Sequence, residues 1–475
     1  MHGCELRVAN ALPQCREAPS IVSAQVARRR RVCVDVSPGR ASSLMEKPKI
    51  RPVEAFPVEQ NGQTLICLRD PTGIARDPIV VGMGAYFLIT LFDGSNTMAD
   101  LHTAFTRRFG QFVSPEQLRA LIDALDSAYF LDSPAYAVRL AEVREEFLQS
   151  PQRPAALAEL CYEKDPPKLH KEIESFFKAT GAPGRIPEPV ADGAALSGLI
   201  SPHIDPRRGG PAYAHAYGEL RARARPELVV ILGTSHYGMG PQLFTATRKD
   251  YMTPLGAVET DRDFVGRLAA RYTQGDLFAE ELLHRNEHSI EFQALFLAWA
   301  LGTEGYKIVP ILVGSFHEMI LSGKTPVSDE RVGGFIAALK DELKGESRRV
   351  LVVAGVDFAH VGRKFGDDFS ADERVAQWVK SEDLALIENI ERGDPKGFFA
   401  TVAKERDKRK ICGLSPMYTQ LELLSGHRGR LLMHDIAMEP QTESAVSFAS
   451  LTIEQPQRTP ALEWPILGCN AKQID

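Results

Sequence analysis

Short runs of apolar, mostly β-branched residues alternate with longer segments of helical periodicity between residues 190 and 455. The runs lie at 196–200, 228–232, 308–313 and 350–354, and glycine or polar residues bound each of them. Strands of a parallel sheet have this character because both of their faces are buried. The alternation therefore predicts an α/β domain over 190–455, with a mostly parallel sheet and helices on both of its faces.

The two ends of the chain differ from the rest. Residues 1–45 show no sustained period and include the basic run Arg28–Arg31, so we expect a disordered tail. Two other interpretations are an upstream extension with Met45 as the true start, and a basic address or nucleic-acid-binding segment. Residues 456–475 are likewise expected to form a C-terminal tail.

Two segments separate the N-terminal tail from the α/β domain. Residues 48–135 contain an alternating run at 64–68 and several amphipathic helix candidates, one of which starts at Ser114-Pro115. Short helices with one or two strands predict a small winged-helix-like domain. It resembles peptide-recognition domains found beside radical-SAM modification enzymes. Residues 136–189 are charged and punctuated by proline, which indicates a helical linker.

Composition excludes several classes of protein. The formal net charge of −6 argues against a general nucleic-acid binder. The seven cysteines are irregularly spaced and form no CxxC pair, which is typical of a reducing compartment. No apolar stretch approaches the roughly 18 residues of a membrane span, and the first residues lack the apolar centre of a secretory signal. We therefore expect a cytoplasmic protein without membrane or nucleic-acid partners.

Histidine and aspartate residues follow three of the predicted strands. His203 follows the first strand, His236 follows the second, and Asp357 and His360 follow the fourth as an Asp-x-x-His pair. Ligands of open α/β sheets bind beyond the carboxyl ends of the strands. We therefore expect these side chains to meet at one edge of the sheet. Two imidazoles with one anionic group are a known arrangement for a transition metal.

Two further segments offer candidates for the same site. Cys412 is followed by a glycine and a proline that mark a turn or the start of a helix, which would present the thiol to the site. The alternative is that Cys412 is an inert, small hydrophobic residue. Glu287, His288 and Glu291 precede the apolar helix predicted at 292–301. His288 and Glu291 could form a pocket wall, or the acidic residues could stabilise the N-terminus of the helix.

Six short motifs follow one another along the α/β domain. They are SPHIDP at 201–206, LGTSHYG at 232–238, NEHSIEFQ at 286–293, VDFAHVG at 356–362, ICGLSP at 411–416 and ESAVSFAS at 443–450. With these motifs in this order, the chain resembles the Memo family over roughly 190–455. Bacterial and archaeal members of that family are also called AmmeMemoRadiSam system protein B.

The resemblance implies a fold similar to that of the class III extradiol dioxygenases, whose iron is held by two histidines and a glutamate. It also implies that His203, His236 and Cys412 are metal ligands, with Asp357 and His360 beside them. Tyr237 stands where vertebrate members have a second histidine, so substrate preference does not transfer through that loop.

Two interpretations of function follow. The first is a metal-dependent oxidoreductase that is dioxygenase-like and uses iron or copper. In it His360 is the general acid or base, Asp357 orients it or binds the metal, and His288 is a third candidate catalytic residue. The second is a non-catalytic peptide- or protein-binding module that uses the same pocket. The pocket would hold a peptide, a modified side chain or an unknown small molecule, and the small N-terminal domain would present a partner. The family name implies radical-SAM and AMMECR-type proteins as partners in either case.

Overall fold

The computed structural model describes residues 46–456 apart from 61, 76, 194, 195 and 239. The segments predicted to be tails therefore lie outside the described residues, apart from position 456.

Residues 48–133 form a folding unit with its own core, called the N-terminal module below. Thr97 and Ser114 begin two of its helices, each with a capping box. Leu101, Leu118 and Ile122 lie on the buried faces. A three-stranded antiparallel sheet precedes the helices, and the closer winged-helix assignment stays a prediction. The elements are β1 (Glu54–Gln60), β2 (Gln63–Arg69), β3 (Ile79–Val81), α1 (Met83–Thr90), α2 (Met98–Phe109) and α3 (Pro115–Ser127).

The rest of the chain contributes helices and strands to the main domain. In chain order they are α4 (Pro134–Gln149), β4 (Gln152–Arg153), α5 (Pro166–Lys178), β5 (Gly198–Ser201), α6 (Pro206–Arg223), β6 (Leu228–Thr234), β7 (Phe244–Ala246), β8 (Asp250–Thr253), β9 (Gly256–Val258), α7 (Arg262–Arg271), α8 (His288–Leu301), β10 (Lys307–Val313), α9 (His317–Ser322), α10 (Glu330–Lys344), β11 (Val350–Gly355), β12 (His360–Gly362), α11 (Glu373–Glu391), α12 (Pro395–Lys404), α13 (Leu414–Leu423), β13 (Arg428–Glu439) and β14 (Ser444–Glu454).

The main sheet is mixed, so the prediction of a mostly parallel sheet is wrong in that respect. Among the described residues it has eight strands in the order β12-β14-β5-β11-β6-β10-β7, with β13 paired to β14. The four central strands β5, β11, β6 and β10 are parallel, and they are the four predicted runs. The outer strands are antiparallel. Because β13 is only partly buried, its sequence lacks the apolar run by which the central strands were recognised.

Helices cover both faces of this sheet, as predicted. Along β6 the side chains of Leu228, Val230 and Leu232 join a core with α7, α10, α12 and α13. The side chains of Val229 and Ile231 point to the opposite face and pack with α5, α6 and α8. The alternation follows from the two-residue period of a strand. The sheet is therefore held rigidly between two apolar layers.

The segment predicted to be a linker packs into the second of these layers. Tyr162, Ile173 and Phe177 are buried there. Arg153 is fully buried and forms an ion pair with Glu291 of α8. The helix α8 is buried along nearly its whole length. No helix in the described part of the chain is long and apolar enough to cross a membrane.

Candidate metal centre

Three neighbouring parallel strands deliver polar side chains to one edge of the sheet. β5 ends at Ser201, two residues before His203, and β6 ends at Thr234, two residues before His236. β11 lies between them and ends two residues before Asp357. These strands run in the same direction, so the three side chains meet at their carboxyl ends.

The first turn of α8 closes the same edge from one side. Gly233 of β6 and Gly355 of β11 allow this close approach, because a Cβ at either position would overlap Ile290 or Ser289. His288, the first residue of α8, is thereby brought against the strand ends. Gly233 in the motif LGTSHYG and Gly355, directly before the motif VDFAHVG, are therefore required by the packing of α8.

Three imidazoles converge at this edge. The ring centroids are 4.9 Å apart for His203 and His236, 5.1 Å for His203 and His288, and 4.6 Å for His236 and His288. Each ring offers one nitrogen, and the three nitrogens lie within 4.8 Å of one another. This spacing suits a shared transition-metal ion, for which neutral imidazole is a common ligand.

Hydrogen bonds orient two of these rings. Nδ1 of His203 lies 2.9 Å from the carbonyl oxygen of Gly355, to which it must donate. Nδ1 of His236 lies 2.9 Å from a carboxylate oxygen of Glu287, to which it donates as well. Both rings therefore keep a lone pair on Nε2. A hydrogen bond from the ring nitrogen that does not bind the metal is the usual way in which proteins fix the orientation of a ligating histidine.

Glu287 lies at the candidate site, although the sequence did not single it out for this site. Its side chain is 1% exposed, and its carboxylate accepts hydrogen bonds from the backbone N–H groups of His236 (2.9 Å) and Ser289 (3.1 Å). It also lies 3.2 Å from Nδ1 of His288. Burial alone would raise the pKa of Glu287, but these imidazoles and hydrogen bonds hold it well below its usual range. The same carboxylate also raises the pKa of His236, against the effect of burial.

Asp357 binds the backbone that carries His203. One carboxylate oxygen accepts hydrogen bonds from the N–H groups of His203 (2.9 Å) and Ile204 (3.1 Å). The other lies 3.7 Å from Nε2 of His203. Asp357 thus holds the backbone of His203 in place and also puts a carboxylate oxygen beside the Nε2 atom of that ring.

His360 begins β12 and belongs to the same cluster. Its backbone N–H donates to the carbonyl oxygen of Arg409 (2.7 Å), and its Nδ1 lies 3.2 Å from the carbonyl oxygen of Phe358. Burial lowers the pKa of His360 to about 4, although the charge of Asp357 opposes this shift. The ring is therefore neutral at pH 7 and able to accept a proton.

Cys412 joins the cluster through His203. Its Sγ lies 3.3 Å from Nε2 of that ring. Gly413, just before α13, packs against the backbone of Asp357 so closely that a Cβ would overlap it. This contact brings the Cys412 loop to the site. Burial raises the pKa of the Cys412 thiol well above its usual range, so the protein alone keeps it protonated.

Glu291 does not form the pocket wall that was one interpretation of its motif. It is buried beside Arg153, accepts a hydrogen bond from the N–H of Leu157 (2.9 Å) and contacts the hydroxyl of Tyr162. Its contacts join α8 to the segment before α5. Glu291 is therefore a structural residue, whereas its neighbours Glu287 and His288 lie at the site.

The structure thus brings together the residues predicted for the site, with the exception of Glu291. His203, His236 and His288 form the group of imidazoles, Cys412 and Asp357 contact His203, and His360 lies beside them. Their individual roles as ligands or catalytic groups stay predictions.

Comparison with known proteins identifies the family of this chain. The family model described as "Memo-like protein" matches residues 153–452. A MEMO1 family protein of Aquifex aeolicus is 29% identical over 408 residues, which is 85% of this chain and 99% of that relative. A MEMO1 family protein of Methanopyrus kandleri is 32% identical over 265 residues, which is 56% of this chain and 84% of the relative. Because the matched segment spans most of the chain and includes the whole candidate site, this protein belongs to the Memo-like family.

Proposed function

We propose that this pocket binds one iron or copper ion and that the protein is a metal-dependent oxidoreductase. The observation that carries the proposal is the group of three imidazole nitrogens within 4.8 Å of one another. Hydrogen bonds to Gly355 and Glu287 leave Nε2 of His203 and His236 free to bind the ion. This donor set fits a first-row transition metal.

The third ligand is Cys412 or His288. Cys412 is the ligand that the family resemblance implies, and its Sγ contacts Nε2 of His203. His288 completes the group of imidazoles. A thiolate favours copper(I), and three imidazoles suit iron or copper.

The site is open, which favours catalysis over a structural role. The side chains of His236 and His288 are each 25% exposed, whereas that of His203 is 3% exposed. Structural zinc sites are closed by four protein ligands, and catalytic sites keep a position for substrate. A small molecule can therefore approach the ion from the side of His236 and His288.

The surrounding residues supply proton transfer and orientation. Bound iron or copper would supply one-electron chemistry. His360 is neutral and partly buried, so it accepts a proton from a bound substrate and returns it later. Asp357 fixes the backbone of His203, and Glu287 fixes the ring of His236 and contacts that of His288.

Oxygen consumption tests the catalytic part of the proposal. Iron-loaded and copper-loaded protein is screened with catechols and with ascorbate as probes. We expect consumption in the wild type that is lost in both His203→Ala and His360→Gln, although His360→Gln retains its metal. The control is His317→Ala, because the side chain of His317 is 47% exposed on the surface.

A non-catalytic binding module is the second candidate. One observation favours it: the N-terminal module contacts Asn286 directly beside the pocket, as a peptide-presenting unit would. Metal uptake without oxygen consumption by any variant would support this alternative. Partnership with radical-SAM and AMMECR-type proteins is part of both proposals, and co-purification of the full chain with such proteins tests it.

A further inference from the structure

A tight turn between β2 and β3 of the N-terminal module is built around one buried carboxylate. Asp70 accepts hydrogen bonds from the N–H groups of Thr72 (3.0 Å), Ile74 (3.1 Å) and Ala75 (2.8 Å), and from the Thr72 hydroxyl. Its other partner is Arg51, at 2.9 Å, and the side chain of Asp70 is fully buried. These bonds fix the turn, called the Asp70 turn below, in one conformation.

The Asp70 turn presents its carbonyl groups to the main domain. The side-chain amide of Asn286 donates to the carbonyl oxygen of Thr72 (2.5 Å). Arg285 donates to the carbonyl oxygens of Thr72 (3.3 Å) and Gly73 (3.4 Å). Asn286 immediately precedes Glu287, the carboxylate that orients His236 and lies beside His288.

Gly73 makes this contact possible. Its φ is +67°, a conformation that other residues adopt only with strain. A Cβ on Gly73 would overlap the side-chain amide of Asn286 and lie 3.3 Å from Arg285. The contact is therefore close enough for one methyl group to push the Asn286–Glu287 segment away.

We propose that the Asp70 turn is a positioning element of the metal pocket. It holds Asn286, and through it Glu287, in the place from which the carboxylate orients His236 and contacts His288. The module and the pocket then act as one functional unit. This inference rests on the proposed metal site for its consequence in affinity, but the positioning itself exists in metal-free protein.

Gly73→Ala tests the inference, with Gly110→Ala as the matched control. Gly110 lies in the same module at φ +65°, and a Cβ there would meet nothing within 4 Å. Backbone strain is thus alike in the two variants, and only Gly73→Ala disturbs the contact. In metal-free full-length protein, we expect faster hydrogen exchange at the amides of His236 and Ser289, the two that donate to Glu287.

Iron(II) affinity gives the second readout. We expect Gly73→Ala to bind on the order of tenfold more weakly than Gly110→Ala, the usual effect of disturbing the support of a ligating histidine. Asn286→Ala removes the group that the new methyl meets, so Gly73→Ala should have a smaller effect in that background.

Equal exchange and equal affinity in the two glycine variants would overturn the inference. Uniformly faster exchange across the chain in Gly73→Ala would also overturn it, because that result indicates only lower stability. If the wild type binds no metal, the proposed function fails, and the exchange at His236 and Ser289 still decides the positioning role.

Discussion

Replacing Glu287 by glutamine removes the negative charge that orients the imidazoles while keeping the shape of the side chain. In the wild type the carboxylate accepts three hydrogen bonds, two from His236 and one from Ser289, and it is 1% exposed. An amide has one oxygen acceptor in place of two. Its NH₂ group would therefore face an N–H donor of His236 or Ser289.

The expected loss is large enough to measure. Mutation of a group that supports a ligating histidine typically costs about 10- to 100-fold in metal affinity. That range corresponds to about 1.4–2.7 kcal/mol of binding free energy. Leaving a buried donor without an acceptor costs roughly 1–3 kcal/mol of folding stability as well. Glu287→Gln should therefore bind metal more weakly and melt at a lower temperature.

Competition titration with a chelator under anaerobic conditions measures the affinity of each variant for iron(II) and copper(I). Glu281→Gln is the control, because Glu281 lies nearby and its carboxylate accepts a hydrogen bond from the Thr247 hydroxyl, away from the imidazoles. We expect the control to bind as the wild type does. Wild-type affinity in folded Glu287→Gln would refute the role assigned to this carboxylate.

Three other predictions concern the third ligand and the stability of the fold. If Cys412 is the third ligand, Cys412→Ser should weaken copper(I) binding more than His288→Ala does; the reverse order in the same titration would identify His288. The pKa of His284 is lowered to about 3 by burial, so only the unfolded state gains a proton as the pH falls below about 6.5. As the pH falls towards about 3, the free energy of unfolding, measured in urea, should decrease by up to roughly 1.4 kcal/mol per pH unit. The decrease should be less steep in His284→Asn. Parallel pH profiles of the two proteins would contradict this prediction. Arg153→Met leaves the buried carboxylate of Glu291 without its cationic partner and should cost about 3–5 kcal/mol of stability; an unchanged urea midpoint would argue against that ion pair.

The central strands could be predicted because burial on both faces leaves a direct trace in the sequence. β6 and β10 have continuous apolar runs, and their ends lie within two residues of the predictions. The hairpin of β13 and β14 could not be assigned in the same way. β13 is a partly exposed outer strand, so its side chains follow no continuous apolar pattern, and its place depends on pairing with β14.

The site was predictable where it depends on strand ends. His203, His236 and Asp357 each follow a recognisable strand, and parallel strands place their ends together. The role of Glu287 was not predictable, because it depends on how closely α8 approaches Gly233 and Gly355. An acidic residue at a helix N-terminus has a sufficient local explanation, and nothing local distinguishes that explanation from support of a metal ligand.

The contact between the Asp70 turn and Asn286 was equally inaccessible from the sequence. It joins residues more than two hundred positions apart through backbone carbonyl groups, which carry no side-chain signal. Only the unusual conformation of Gly73 marks it, and a glycine in a turn has many possible reasons.

Metal content of anaerobically purified protein tests the central claim most directly. Elemental analysis of the wild type, His203→Ala and the surface control His317→Ala gives the identity and stoichiometry of the bound ion. We predict about one iron or copper ion per chain in the wild type and the control, because the open donor set takes one transition-metal ion. His203→Ala should lose the ion and remain folded. Zinc or no metal in the wild type, with no change in His203→Ala, would contradict the account.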